Sequence, residues 1–350
     1  MKKKLLALLL ALGIFLCGCE IGIVLPPASP SLSPDGDTLT VHFIDVGQAD
    51  CALLECGGEY MLIDGGNRED GQLVVSYLQQ QGVEELEYVV CTHAHEDHVG
   101  SLPAVLAVYP TGAVYAPTTT YSSNIFDDFL YYTDQQGLEV TIPAPGDTFT
   151  LGGASLTVLG PTRSYAETND TSVILMAQFG ASRFLFTGDM ETAAENDMLD
   201  YWEGRFDWNV DVLKVGHHGS STSSGYRFVY ETDPEYAVIS CGADNSYGHP
   251  HDEVVSRYSD AGIPMLRTDE LGHIIAATDG ETVTITWQNQ SARPGDVESG
   301  EAMTYIGNVN SKKFHAPDCG ALPARKNRVE FDSYEAAVGA GYAPCGSCLG

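Results

Sequence analysis

From residue 39 to residue 287 the chain alternates short apolar runs of period two with amphipathic stretches of period near 3.6, so strands and helices are both written into it. Strands are predicted over 39–46, 51–55 and 60–63, parted by the turn sequences Gly47-Gln48-Ala49-Asp50 and Cys56-Gly57-Gly58-Glu59. A helix is predicted over 72–81, with Leu73, Val74, Tyr77 and Leu78 on one face, and a strand over 87–91 follows it. The apolar positions of 98–109 again fit a helix, because Pro103 falls in the first turns, where proline is tolerated. The second half repeats the alternation: strands at 155–159, 171–179, 182–187 and 210–215, with a helix over 191–201. Further strands are predicted at 236–240, 264–267, 273–277 and 281–287. Mixed strands with helices between them imply two packed sheets covered by helices.

The ends read differently. Met1-Lys2-Lys3-Lys4, an apolar stretch over 5–16 and Leu16-Cys17-Gly18-Cys19 have the form of a signal peptide, with an apolar core too short for a comfortable membrane span. The last four residues resemble a bacterial lipobox, so 1–19 is expected to be the lipoprotein signal. Cys19 is then the lipidated residue, and the protein is expected on the outer face of the cell membrane. Residues 20–37, rich in Pro and Ser, are expected to form a tether, and folding is expected from residue 38. Residues 289–303 have linker composition, which leaves a small module over 304–350.

With 43% hydrophobic residues among 350, the chain has material for one large core and a small one, and pervasive disorder is excluded. The net charge of −31, from 48 acidic and 17 basic residues, repels polyanions at long range and argues against tight non-specific DNA binding. It does not exclude a phosphodiester substrate, because divalent cations in a cleft invert the local potential. Of nine cysteines, Cys17 and Cys19 belong to the leader, and the odd number left is a poor disulfide framework. Cys51, Cys91 and Cys241 sit in apolar runs and read as small buried hydrophobes, with a Cys51 to Cys56 bridge left open.

The chemistry is concentrated at Thr92-His93-Ala94-His95-Glu96-Asp97-His98, directly after a strand-like run. Two imidazoles two residues apart can grip one divalent ion, and the adjacent Asp97 and His98 can reach a second, roughly 3.5–4 Å from the first. Three further strand-like runs end in metal-capable groups: Asp64, Asp189 and the pair His217-His218. A sheet fixes such positions while the loops supply direction.

These strings resemble the metallo-β-lactamase superfamily. Phe43-Ile44-Asp45-Val46-Gly47-Gln48-Ala49-Asp50, Asn169-Asp170-Thr171-Ser172, Lys214-Val215-Gly216-His217-His218-Gly219-Ser220 and Tyr247-Gly248-His249-Pro250 are similar to the hydrolase domain of ComEC-type DNA-uptake proteins. The resemblance implies an α/β fold, an αββα metallo-β-lactamase sandwich over 38–288, with metals at the edge between its sheets. It assigns His93 and His95 to a first metal, Asp97, His98 and His218 to a second, and Asp189 to both. His218 is preferred to His217. Asp64 is implied as a support for the ligands, and Asp97 and His249 as the catalytic groups. Many members place a further histidine on the first metal, but none occurs between Val99 and His217, so Asn169, Asp170 or water is expected there. Two divalent ions, Zn²⁺ or Mn²⁺, are the implied cofactors.

In such a site, water between two cations is the nucleophile and no nucleophilic side chain is needed. His249 and His251 are candidates for proton donation or phosphate binding, or simple turn residues; Lys214 is a candidate substrate contact or a strand-edge charge. The expected substrate is a phosphodiester, with DNA leading by resemblance. A cell-wall phosphoester of the teichoic-acid phosphorylcholine type is the alternative, and a catalytically inactive binding protein is a third reading. In the small module His315, Cys319, Cys345 and Cys348 form a closed set for a structural Zn²⁺, with a Cys319 disulfide as the alternative. That module resembles the Ada-type zinc-binding domain. Its cluster of Lys312, Lys313, Arg325, Lys326 and Arg328 reads as a nucleic-acid or polymer contact, or as a solvated face.

Overall fold

The computed structural model describes residues 38–289, 304–316, 319, 321–331 and 334–349. The expected signal, lipidated Cys19 and tether lie outside the described residues, as does nearly all of the expected linker.

The first half of the chain forms β1 (Leu39–Phe43), β2 (Ala52–Cys56), β3 (Glu59–Ile63), α1 (Gly71–Gln80) and β4 (Leu86–Val90). Then come α2 (Glu96–Val99), α3 (Leu102–Val108), β5 (Thr111–Tyr115), α4 (Asn124–Gln135) and β6 (Val140–Thr141). The second half contains β7 (Thr148–Leu151), β8 (Ala154–Gly160), β9 (Ile174–Phe179), β10 (Ser182–Phe186), α5 (Thr192–Trp202) and β11 (Val212–Lys214). It continues with α6 (Tyr226–Thr232), β12 (Tyr236–Ile239), α7 (Asp252–Asp260), β13 (Met265–Arg267) and α8 (Thr268–Leu271). β14 (Ile274–Thr278) and β15 (Val283–Trp287) return to the first sheet.

The first sheet has the order β15-β14-β1-β2-β3-β4-β5-β6 and the second β13-β12-β11-β10-β9-β8-β7. Their inner faces meet in one core, where Phe43, Leu54 and Met61 from one sheet pack with Leu156, Phe184 and Phe186 from the other. The alternate residues turn outward. Leu53, Leu62 and Val89 pack under α1, α3 and α4, and Leu185, Leu213 and Ile239 pack under α5, α6 and α7. A strand buried on both faces is necessarily apolar throughout, as in Phe184-Leu185-Phe186, where each phenylalanine contributes roughly 1.5–3 kcal/mol by its burial. The result is the expected four-layer αββα sandwich.

Several boundaries differ from the sequence reading for identifiable reasons. The predicted strand over 39–46 stops at Phe43: the Ile44 amide makes one more bond in the β1–β2 register, to the Cys51 carbonyl, and the chain then turns, with Gly47 at φ 69°. The predicted helix over 98–109 is two pieces, α2 and α3: a side chain at Gly100 would meet the backbone of Asn67 and Arg68. The predicted strand from 171 starts at Ile174, since Asn169–Thr171 forms a 3-10 turn. The periodicity reading assigns nothing to β5, α4, β6, β7, α6, α7 or α8.

The small module has β16 (Tyr305–Asn308), β17 (Lys313–His315), β18 (Arg328–Phe331), α9 (Tyr334–Gly339) and β19 (Ala343–Pro344), in the sheet order β18-β16-β17-β19. Its core of Tyr305, Phe314, Tyr334 and Leu349 takes in Tyr226 of α6. The Tyr226 and Tyr334 rings are stacked at 6.1 Å, and Tyr230 meets Tyr334 at 5.1 Å. No helix among the described residues is long and apolar enough to cross a membrane.

Candidate metal centre

Four strand ends converge at one rim of the sandwich. After β3, Asp64 adopts a left-handed backbone (φ 58°) and accepts hydrogen bonds from the Thr92 amide and hydroxyl, each at 2.7 Å. Its Oδ2 also lies 2.8 Å from His98 Nδ1, so the Nδ1 proton of His98 is held by Asp64 and Nε2 is turned to the centre.

After β10, Gly188 (φ 50°) leads to Asp189, and only glycine fits there. A Cβ on residue 188 would sit 2.8 Å from Ser172 Oγ and 2.9 Å from Thr92 Oγ1. After β11, His217 (φ 50°, ψ 42°) and His218 (φ 54°, ψ 23°) are both left-handed, a conformation that costs a non-glycine residue about 1–3 kcal/mol and persists where surrounding structure holds it. His218 Nδ1 lies 3.0 Å from the Ser240 carbonyl, which fixes the proton there and leaves Nε2 as an acceptor.

His98 Nε2 is 3.3 Å from Asp189 Oδ1, and His218 Nε2 is 3.3 Å from Asp97 Oδ2 and 3.6 Å from Asp189 Oδ2. One ligand atom from each of Asp97, His98, Asp189 and His218 lies within 4.8 Å of all the others. On the other side of Asp189, His93 Nε2 is 3.0 Å from His95 Nδ1 and 3.9 Å from Asp189 Oδ2. His217 Nε2 is 3.8 Å from the same Oδ2. The His98 Nε2, His218 Nε2 and Asp189 Oδ1 atoms are buried and have no hydrogen-bond partner. Desolvated donor atoms aimed at each other are costly unless a cation joins them, so this set fits divalent metal.

The electrostatics agree. Burial opposes charge on His218, yet the carboxylates of Asp189 and Asp50 outweigh it and push the imidazolium pKa up to about 10. Asp189 is held well below the usual carboxylate range by His98 and His218, although burial works against this. The rim is a place that demands positive charge.

Lys214 is not the substrate contact or strand-edge charge considered from sequence. β11 lies inside the second sheet, and Lys214 Nζ is buried 2.8 Å from Asp50 Oδ2. Asp50 Oδ1 in turn lies 3.2 Å from His218 Nδ1. Asp170 does not reach the ligand atoms either: its Oδ1 accepts the Glu191 amide at 3.0 Å, which settles the loop after Asp189. Asn169 does face the centre, with Nδ2 at 3.2 Å from Glu191 Oε1 and 3.4 Å from His217 Nε2.

His249 stacks over His218 at 6.3 Å and meets His217 at 5.7 Å. The Gln48 Oε1 accepts the Gly242 amide, so its Nε2 faces His249 Nδ1 at 3.3 Å and the ring proton rests on His249 Nε2. Burial, helped by the neighbouring imidazoles, lowers the His249 pKa to about 4. His251 is a strut: Nδ1 accepts the Ser221 amide, and Nε2 donates to the Tyr247 carbonyl.

These groups floor an open cleft of about 930 Å³. Its wall carries Asp45, Glu69, Asp70 and Glu96, and no lysine or arginine is among the described residues lining it. Sequence reading missed Asp50, Gln48 and Glu191. Asp50 and Gln48 lie inside the quoted Asp45 to Asp50 turn, and Glu191 stands two residues beyond Asp189.

In the small module His315 Nδ1 is 3.4 Å from Cys319 Sγ and 4.0 Å from Cys348 Sγ, and with Cys345 all four ligand atoms lie within 4.8 Å of one another. All seven described cysteines are free thiols, Cys51 and Cys56 included.

Residues 44–243 match the Metallo-beta-lactamase superfamily. ComE operon protein 3 of Bacillus subtilis (strain 168) is 28% identical over 264 residues, which is 70% of this chain and 33% of that protein. Competence protein ComA of Neisseria gonorrhoeae is 30% identical over 247 residues, 69% of this chain and 33% of that protein. Recombination protein 2 of Haemophilus influenzae is 29% identical over 228 residues, 63% of this chain and 26% of that protein. The chain therefore spans a third or less of the length of these relatives. A match over more than half of the sequence, together with the four-layer sandwich and the histidine and aspartate cluster at its rim, places the chain in the metallo-beta-lactamase superfamily.

Proposed function

We propose that the protein is a two-metal phosphodiesterase acting outside the cytoplasm, with nucleic acid as its leading substrate. The carrying observation is the convergence of buried, unpartnered His98 Nε2, His218 Nε2 and Asp189 Oδ1 at the floor of an open cleft. His93 and His95 hold the first ion, Asp97, His98 and His218 the second, and Asp189 serves both. Bound there, two divalent ions supply a deprotonated water and neutralise charge on the attacked phosphoryl group.

The chain's own residues do the rest. Asp64 and the Ser240 carbonyl set the tautomers of His98 and His218, so both rings present an unprotonated Nε2. His249, carrying its proton on Nε2, offers the substrate a neutral hydrogen bond, and Gln48 holds the ring for it. Nucleic acid is favoured by likeness to relatives named for competence and recombination.

The acidic wall of the cleft favours a second reading, a cell-wall phosphoester such as a phosphorylcholine substituent, whose cationic part suits Asp45, Glu69 and Asp70 better than a long polyanion does. Lipid attachment at Cys19 accounts for an extracytoplasmic location, and labelled palmitate uptake lost in Cys19→Ala tests it. A Zn²⁺ held by His315, Cys319, Cys345 and Cys348 staples the small module.

Purified protein with Mn²⁺ or Zn²⁺ is tested on bis(p-nitrophenyl) phosphate, on single- and double-stranded DNA and on phosphorylcholine esters. Cleavage of the model ester and DNA supports the first reading. Phosphorylcholine release without DNA cleavage supports the second, and no turnover on any substrate makes the protein a binder.

A further inference from the structure

The acidic cleft has no lysine or arginine among the described residues lining it, so away from its floor nothing in it can hold a polyanion. The chain places its cations elsewhere. Residues 304–350 carry five of its 17 basic residues and only four of its 48 acidic ones.

The partners of the cations separate the small module from the sandwich. Arg68, Arg163, Arg183, Lys214, Arg227 and Arg267 of the sandwich each meet a carboxylate at 3.0 Å or less. Among the described residues, Lys312, Lys313, Arg325, Lys326 and Arg328 of the module meet none. Acidic residues outnumber basic ones nearly threefold in this protein, so five neighbouring cations without a carboxylate are a local exception.

The register of the small sheet builds that exception. Asn308, at the end of β16, stands opposite Lys313 of β17 on one side and Arg328 of β18 on the other. Residues directly opposite in antiparallel strands share a face, and neighbouring strands lie about 4.8 Å apart. Lys313 and Arg328 therefore flank Asn308 on one face, with roughly 10 Å between their backbones. Arg325 and Lys326 occupy the 3-10 turn leading into β18, which is tied down where the Asn327 carbonyl accepts the Val309 amide at 3.0 Å. Arg328 Nε donates to the Pro323 carbonyl at 2.8 Å, which steadies the guanidinium and uses one of its five N–H donors. Glu330 is the one acidic residue in the four strands.

The backbone supplies an independent sign. Lys312 is left-handed at φ 54°, where glycine is at home and a lysine is strained. Its Nζ lies 4.4 Å from the centre of the Tyr342 ring and 3.2 Å from the Tyr342 hydroxyl, so the ammonium is held against the module. The end of the sheet that carries these groups is also the far one. Tyr305, which meets Tyr226 of the sandwich, lies three residues and about 10 Å along β16 from Asn308.

The shape and charge of the group select its occupant. A rod-like polyanion can touch this end alone, whereas a flat anionic membrane would also meet the acidic sandwich, whose charge is screened only beyond about 8 Å. Duplex DNA carries one charge per about 1.7 Å, and each phosphate neutralised releases condensed counterions.

We propose that the far end of the small sheet, built from Lys312, Lys313, Arg325, Lys326 and Arg328 around Asn308, is a docking site for the phosphate backbone of duplex DNA. The module then grips the polymer that the acidic cleft cannot. The choice of DNA deepens the nuclease reading above and rests on it.

The test uses the full Zn²⁺-loaded chain carrying Asp189→Asn, which keeps the probe uncut, and a labelled 30-base-pair duplex read by fluorescence anisotropy from 50 to 200 mM salt. With four or five phosphates neutralised, the logarithm of affinity should fall against that of salt with a slope of about −4. Lys313→Gln/Arg325→Gln/Lys326→Gln, at three exposed positions, should weaken binding at 50 mM salt by at least roughly tenfold and make the slope shallower by about 2–3. The charge-keeping Lys313→Arg/Arg325→Lys/Lys326→Arg should bind as the parent does, and all three proteins should melt alike. Unchanged affinity and slope in the glutamine variant, or loss in the charge-keeping one, overturns the proposal. Tighter binding of phosphatidylglycerol vesicles or of poly(glycerol phosphate) than of the duplex overturns the assignment to DNA. A duplex held through this patch by a chain that, with Asp189 restored, turns over neither DNA nor bis(p-nitrophenyl) phosphate supports the docking site and overturns the nuclease reading alone.

Discussion

Lys214 Nζ lies 2.8 Å from Asp50 Oδ2 with both side chains buried, and the second oxygen of the same carboxylate is 3.2 Å from His218 Nδ1. A lysine from the middle of one sheet thereby fixes a carboxylate that braces a metal-ligand candidate. Lys214→Met removes the lysine partner of a buried carboxylate, leaving Asp50 only the His218 and His98 rings, and should cost about 3–5 kcal/mol of stability, read from urea unfolding. The Lys214→Met/Asp50→Asn double variant should be destabilised by less than the sum of the two single variants. Additive losses would show that the pair does not act as a unit.

Asp64 meets the centre through hydrogen bonds with Thr92 and His98. Asp64→Asn should weaken metal binding by about 10–100-fold with the fold retained. His98→Ala and Asp189→Asn should lose more, and chelation should abolish turnover that added Mn²⁺ restores. Turnover that survives exhaustive chelation contradicts the ligand set.

Glu195 provides a pH dependence away from the metal. Burial raises its pKa from 4.5 to about 7, although the Gly225 and Ser224 amides donate to its carboxylate. A carboxyl raised in the folded state binds its proton more tightly there. Its contribution is therefore fully present below about pH 4.5 and is lost as pH rises through about 7. The melting temperature of wild type, measured against Glu195→Gln, should fall across that interval. A flat difference would mean the carboxylate is already charged at acid pH.

With Zn²⁺ held as proposed, Cys345→Ser should release it and melt the small module, which has little core beyond Tyr305, Phe314 and Tyr334. Turnover in the cleft should persist. Zinc content by mass spectrometry and the tyrosine near-UV signal read the two halves of this outcome separately.

Much of the centre was legible in the sequence, because apolar runs ending in Asp64, His93, Asp189 and His218 are the ends of β3, β4, β10 and β11, where a sheet presents its loops. What escaped needs the folded geometry. Lys214 reads as a surface charge until Asp50 is brought against it, and Glu191 reads as a helix-start acid until His217 turns over it. The helix α4 escaped for a different reason: its buried Ile125, Phe126 and Phe129 sit among Tyr131, Tyr132 and the five acidic or amide residues Asn124, Asp127, Asp128, Asp134 and Gln135, which blur the period. The split of α2 from α3 escaped because Gly100 is dictated by a chain crossing it from 67–68. Asn169, Asp170 or water was the expectation beside the first metal, and the fold sets Asn169 Nδ2 3.4 Å from His217 Nε2.

Tyr226 opens α6 only eight positions after His218, and Tyr305 of β16 and Tyr334 of α9 close on it, with the Arg257 guanidinium 5.2 Å from its ring. An aromatic seam of this kind joins the small module to the sandwich through side-chain packing as well as through the chain. The basic residues of the module therefore keep a constant bearing from the histidine and aspartate rim.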